Sequence, residues 1–306
     1  MSGLVNGDLE IDGVLTPGWI QFCGPLDTDP CPVSSLGSFN PSYGPYYHFR
    51  YYGFTGIALL PGNYRARIIT DGGVGVLLLP ITVSLGSVID LSTSAASVQN
   101  GQNISVSLEN INLTFPDVLS SGFLTTKSSS SGTQPPSGFK LGSPATYYFI
   151  STTATFTGNV TVCFNYNDTT IQGSESKLKL MHFDGQRWVN ITTSLDTTAN
   201  IICGITTSFS DFALMTEPTI QDLINLVENL NLQQGIQNSL DAKLQRVQDA
   251  LAAERNNNQV EATNALTAFV SEVEAQRGNK LTIDQADHLH SFADNLIKIV
   301  QGVNQF

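Results

Sequence analysis

Two periodicities divide the chain. Through residue 216, apolar and aromatic residues recur every second position in short runs bounded by Gly, Pro, Asn and Ser, the pattern of β-strands. Trp19 to Phe22 and Tyr46 to Phe54 have strand composition. Tyr64, Ala66 and Ile68 alternate with Arg65 and Arg67 after a Pro61-Gly62 turn, and Val74 to Val83 follows the turn Asp71-Gly72-Gly73. Ile104, Val106 and Leu108 alternate with polar residues, as do Phe156, Val160, Val162 and Phe164 with one shift of phase. Between them the tract Ser120 to Pro136, rich in Ser, Gly and Pro, reads as a long loop or flexible connection. Leu178 to Ile191, with Asp184-Gly185 at its centre, predicts a hairpin; Asn200 to Thr206 predicts a further strand.

Past Glu217-Pro218 the period becomes helical. Ile220, Leu223, Ile224, Val227 and Leu230 share one face, and Ile236, Leu240, Leu244, Val247 and Leu251 make a second stripe. Ala262, Ala265, Leu266, Phe269, Val270 and Val273 form a third. Leu289, Phe292, Leu296 and Ile299 form a fourth, behind a predicted cap at Thr282, with Gly235 and Gly278 as punctuation. The expected architecture is therefore two all-β domains (β-sandwiches) over 1–90 and 91–216, followed by a small all-α four-helix bundle over 217–306.

Composition narrows the function classes. Of the 306 residues 41% are hydrophobic, but only 13% are charged, about half the usual ~25% for soluble domains. Hydroxyls and amides replace the charges, as in many extracellular β-proteins. The net charge of −12 and the lack of any Lys/Arg run argue against nucleic acid and against anionic membrane surfaces. No apolar run reaches the ~18 residues of a membrane span, and Met1-Ser2-Gly3-Leu4-Val5 carries no secretory signal in this numbering.

The four cysteines fall into two local pairs, Cys23 with Cys31 and Cys163 with Cys203, which suggests two disulfides and an oxidising compartment. Free buried thiols or a metal site are the alternatives, although no CxxC is present and the four histidines lie elsewhere. An extracellular or cell-surface location follows from the disulfide reading.

No catalytic constellation, phosphate loop or dinucleotide fingerprint appears, so neither catalytic residue, cofactor nor metal is assigned. Asp27 and Asp29 could ligate calcium, but Asp-x-Asp-Pro is also ordinary turn chemistry. His288 and His290 are two apart on a predicted helix and point to different faces, as a solvated pair; His48 and His182 stand alone. The aromatic run holding Tyr43, Tyr46, Tyr47, Phe49, Tyr51 and Tyr52 would expose one set of rings if it were a one-sided strand, offering a protein interface or a sugar-stacking surface. A two-sided strand covered by a loop or neighbour is the alternative. Five sequons, at Asn103, Asn112, Asn159, Asn167 and Asn190, are possible glycosylation sites, all within 91–216.

Three stretches resemble known modules. Phe54, Pro61, Gly62 and Tyr64 resemble the carboxypeptidase-regulatory-like or transthyretin-like β-sandwich of secreted proteins, which implies a non-catalytic scaffold. The sequence Val160-Thr-Val-Cys-Phe, then Leu178 to Ile191, then Ile201-Ile-Cys-Gly and Phe209 to Ala213, is similar to a β-sandwich module of bacterial and archaeal exported proteins. That resemblance supports pairing Cys163 with Cys203 across adjacent strands. Gly235 to Leu244, Ala268 to Gly278 and Leu281 to Ala286 resemble the FIMAH-type helical domain at the ends of bacterial extracellular proteins, implying location more than activity.

The resulting expectation is a non-catalytic extracellular structural or adhesive protein, a self-associating surface or appendage subunit. Its partners would be further copies or other surface proteins. A glycan-binding accessory fragment of a secreted enzyme is the alternative.

Overall fold

A computed structural model of the chain describes residues 2–23, 46–49, 53–71, 75–253 and 257–306. The described chain is mostly β-strand, in several sheets, with four helices at its C-terminal end. It falls into two compact units. The first comprises Met1–Ser128, Tyr148–Tyr166 and Cys203–Ser210; the second comprises Ser129–Tyr147, Asn167–Ile202 and Asp211–Phe306.

In the first unit a three-stranded sheet places Gly3–Gly7 between Phe54–Leu59 and Val88–Asp90. A four-stranded sheet runs Tyr46–Phe49, Gly18–Cys23, Gly62–Thr70, Gly75–Val83. The two enclose a core of Val5, Leu9, Ile20, Phe22, Phe54, Ile57, Leu59, Ala66 and Ile68, among others. Alternation explains the selection, since every second residue of each strand turns inward. The chain passes from one sheet to the other at Leu60-Pro61, where the Tyr64 hydroxyl donates to the Leu60 carbonyl at 2.9 Å and braces the corner.

Gly101–Leu108, Ile111–Ser120 and Val160–Asn165 form antiparallel neighbours in a further sheet. Ile111, Leu113, Phe115, Val160, Val162 and Phe164 are all fully buried. The phase shift expected before Val160 is real: strand Thr155–Thr157 ends, Gly158 adopts φ 85°, and a new strand begins. The Ser-rich tract departs from expectation. Gly122–Ser129 is a strand paired with Thr93–Val98, because the consecutive residues Leu124, Thr125 and Thr126, at 0%, 1% and 7% exposure, are buried on both faces of the strand among the serines.

The second unit contains the predicted hairpin, Leu178–Phe183 with Trp188–Asn190. Its loop has four residues rather than two, held by Asp184, whose carboxylate accepts from the backbone N–H groups of Gln186 and Arg187. Asp211–Thr216 pairs with Leu178–Phe183, and Lys140–Leu141 also pairs with Asp211–Thr216.

Four helices follow: α1 (Ile220–Asn229), α2 (Gln234–Ala252), α3 (Asn258–Gln276) and α4 (Ile283–Val300). Helix α1 packs on α2 and α4, and α3 packs on α2 and α4, closing a bundle. Its core takes residues from all four predicted stripes, with Ile224, Leu230, Ala265 and Val270 only partly buried against it; Ala250 is buried in place of Leu251, Ala286 and Ala293 join on α4, and Ile299 is half-buried. Thr219 and Thr282 each form a reciprocal capping box, with Asp222 and Gln285. Gly235 lies within the first turn of α2, whereas Gly278, at φ 69°, ends α3 as expected.

The bundle is joined to the sheet of its own unit by residues 131–140 and 303–306. The Trp188 indole donates to Gln134 O at 2.9 Å, the buried Asn295 amide donates to Ser137 O at 3.0 Å, and the Phe139 and Phe306 rings meet edge to face at 4.8 Å. Gln305 bridges to Val189, and Phe306 N donates to Trp188 O at 2.9 Å. The second half of the Ser/Pro tract is thus packed structure.

Candidate functional site

Cys163 and Cys203 form a disulfide with Cα atoms 4.1 Å apart. Val162 and Ile202, their chain neighbours, are buried, so alternation turns both half-buried sulfurs to the outer face of the sheet. Asn112 stands opposite Cys163 on the next strand, and its side chain accepts from Ser107 Oγ at 2.6 Å. The Cys23–Cys31 pair and the calcium candidates Asp27 and Asp29 fall outside the described residues, except for the backbone of Cys23.

The sequons are accessible to different degrees. Asn103, Asn112, Asn159 and Asn167 are exposed, and Asn190 is half-buried. Asn103 adopts φ 54°, and Asn159 follows the Gly158 turn. Asn167 Oδ1 accepts from both Thr169 N (3.1 Å) and Thr169 Oγ1 (2.8 Å), closing a turn with its own sequon threonine. Asn190 Oδ1 accepts from Thr192 N at 3.1 Å in the same manner.

Of the aromatic run, Tyr43, Tyr51 and Tyr52 lie outside the described residues, and Tyr46, Tyr47 and Phe49 are described only as strand backbone. In register, Tyr46 stands opposite Gln21, Tyr47 opposite Ile20 and Phe49 opposite Gly18. Gln21 and Ile20 are both buried, at 1% and 0% exposure.

An exposed apolar row on the three-stranded sheet was not anticipated. The pairing puts Ala58, Leu4 and Val88 side by side across three strands. Their chain neighbours Val5, Ile57 and Leu59 are buried and Ile89 packs against the same core, so these three face outward. Leu4 is 39% exposed and Val88 66%; Leu60 (61%) and Leu85 (60%) lie at the ends of the neighbouring segments. No charged side chain occurs among these five. The available signal was Val5, Leu9 and Ile11 at even spacing near the start of the chain, too short and too interrupted to read as a strand.

A second cluster, on the bundle, is charged. Glu274 of α3 receives Arg277 Nε and Nη2, both at 2.7 Å, and lies 2.5 Å from His290 Nδ1 of α4. Arg277 also reaches Asp287, and His290 Nε2 lies 3.2 Å from Asp294. The hydrogen bonds of Arg277 and then His290 hold the Glu274 carboxyl down at about 2, and its carboxylate partners raise Arg277. His290, partly exposed, is therefore an interhelical link; His288 is exposed. The i,i+3 spacing of Glu274 and Arg277 was the legible part of this cluster. His182, stacked on Phe212 at 4.5 Å, has its pKa lowered by burial.

Among the described residues, no group of three or more His, Cys, Asp or Glu side chains is placed to hold a metal ion, and no helix is long and apolar enough to cross a membrane. No protein-family model matches the chain, and a comparison with curated proteins finds no match.

Proposed function

We propose that this chain is a non-catalytic structural or adhesive component of the cell exterior, which works by associating with further copies of itself. The observation that carries the reading is the uncharged apolar row of Leu4, Ala58 and Val88 with Leu60 and Leu85 at its margins. Contiguous exposed apolar surface is where association removes area from water. In a chain of net charge −12, copies repel at long range, so apolar positions such as these, bordered on the same face by the single carboxylate of Asp90, are where two of them can approach at low cost. The Cys163–Cys203 disulfide and the charge-poor, hydroxyl-rich surface support an oxidising, extracellular setting. The resemblance to secreted β-sandwich and FIMAH-type modules points the same way. The charged cluster on the bundle supports the non-catalytic reading, since its groups saturate one another.

Sizing and negative-stain microscopy of native protein across concentration test the proposal. Oligomers or filaments are expected, and Val88→Glu with Leu60→Glu should raise the concentration needed for assembly at least tenfold. A monomer at every concentration overturns it. Glycosylation at the sequons predicts a native mass above that of the bare disulfide-bonded chain.

A further inference from the structure

The strand Gly3–Gly7 and the hairpin that follows it are seated in an unusual way. Leu4 faces Val88 and Ile11 faces Ala95 in parallel, the same offset of 84 residues in both, so residues 4–6 and 9–11 lie along 88–90 and 93–95 as two short ladders in one register. The segments between the two short parallel strands keep the bonding: Leu91 N donates to Asn6 O at 2.7 Å and Thr93 N to Asp8 O at 2.9 Å. At the ends, Leu4 N donates to Ser87 O at 2.8 Å and Asp12 N to Ala95 O at 2.9 Å. On its other edge the strand pairs antiparallel with Phe54–Leu59, where Gly56 N donates to the Asn6 side chain at 2.7 Å.

The fit is close. Val5 and Leu9 are 0% and 1% exposed and plug the sandwich core. A Cβ on Gly3 would come within 2.6 Å of Val83, and one on Gly7 within 2.7 Å of the Leu91 backbone. The groove between 54–59 and 87–95 is shaped to this segment.

All of those contacts are remote in sequence. The segment's local pairing, Glu10 with Leu15 and Ile11 with Val14 around the Asp12-Gly13 turn, travels with it. The backbone need only redirect at Thr16-Pro17 before Gly18 enters the four-stranded sheet. Proline fixes its own φ and favours an extended residue before it, which suits a hinge that carries the chain outward. A groove with these bonding partners accepts the same segment from another copy with the same ladder, the same buried side chains and the same glycine approaches.

We propose that residues 3–15 are an exchangeable arm that inserts into the groove of a second copy of this chain, whose own arm passes to a third. Where the rotation between successive copies does not close a ring, such head-to-tail exchange builds a linear polymer. The exposed row fits this arrangement: Leu4 comes from the arm and Ala58 and Val88 from the groove, so in the polymer the row spans the junction between copies. The proposal deepens the self-association reading and rests on it.

Two chains test it, each carrying one added cysteine beside the four native ones, Leu4→Cys and Ala58→Cys, both at exposed positions paired in register, mixed under mild oxidation at a concentration where the native chain assembles. A disulfide-linked heterodimer is expected between these two, and none between Leu4→Cys and a control carrying Ser174→Cys at an exposed position of the other unit. Gly7→Val, which crowds the groove, should lower assembly at least tenfold. Assembly without the specific heterodimer overturns the arm exchange while leaving self-association standing. A native chain that stays monomeric at every concentration overturns both.

Discussion

The three-stranded sheet of the first unit and the helical bundle of the second are organised on opposite principles. In the bundle, each helix is delimited by its own neighbours in sequence: Thr219 and Thr282 cap with residues three positions away, Gly278 stops α3, and successive helices pack together. In the sheet, the strand Gly3–Gly7 has no local reason to exist. Its partners are 47 to 84 residues further on, and Val5 is buried in a core shared with Ile20, Phe22, Ala66 and Ile68, all remote in sequence. Local elements fold from nearby information, whereas this sheet waits for distant chain segments. Contacts that are wholly non-local are also those another copy can supply. The bundle has no equivalent freedom, because α3 is tied to α4 by Glu274, Arg277 and His290 across a short turn.

This contrast predicts separable failures. The largest is expected from Phe269→Ala, which empties a fully buried position at the centre of the bundle and should cost about 3–5 kcal/mol. Far-UV circular dichroism should show the helical signal melting early while the Cys163–Cys203 sheet keeps its exchange protection. Simultaneous loss of both signals would show that the two regions unfold together.

Replacing Cys163 and Cys203 by alanine opens a link of 40 residues' separation and should cost about 2–4 kcal/mol, measured by denaturant titration. Early loss of amide protection is expected along Ile111–Ser120 and Val160–Asn165, not in α3 and α4.

Removing a cap tests the local side. Thr282→Ala should lower bundle stability by about 1 kcal/mol and leave the sheets unaffected; an unchanged thermal midpoint would count against the capping box as a determinant of α4.

The smallest effect concerns acid. The Glu274 carboxyl sits at about 2 in the folded chain against 4.5 when free, so its stabilising links are intact above about pH 4.5 and fade as pH falls through 2. Glu274→Gln should flatten the acid dependence of bundle stability over that window. Because the cluster is at the surface, the change should also shrink at high salt.

Several elements could be read without a structure because their cause is local. The four helical stripes follow from spacing alone, and the hairpin at Asp184-Gly185 from turn chemistry. Where apolar residues compete within a stripe, spacing did not decide: Ala250 rather than Leu251 meets the core, since the neighbouring helices set the exact facing. The strand Gly122–Ser129 was hidden because a few buried residues, Leu124, Thr125 and Thr126, sit in a tract whose overall composition belongs to loops. The sequons were legible as a motif; their accessibility was not, and half-buried Asn190 donates its backbone N–H to Asn304 O at 2.7 Å, far along the chain.

By itself the sequence determined the β-then-helix order, the helix caps, the charge-poor composition and the pairing of Cys163 with Cys203, all of which depend on residue type and short spacing. Tertiary structure alone decided that the start of the chain is a core strand and that the outward residues beside it form an apolar row. It also made the partly exposed His290 a link between helices. These are statements about which distant backbones meet, and no window of sequence contains both partners.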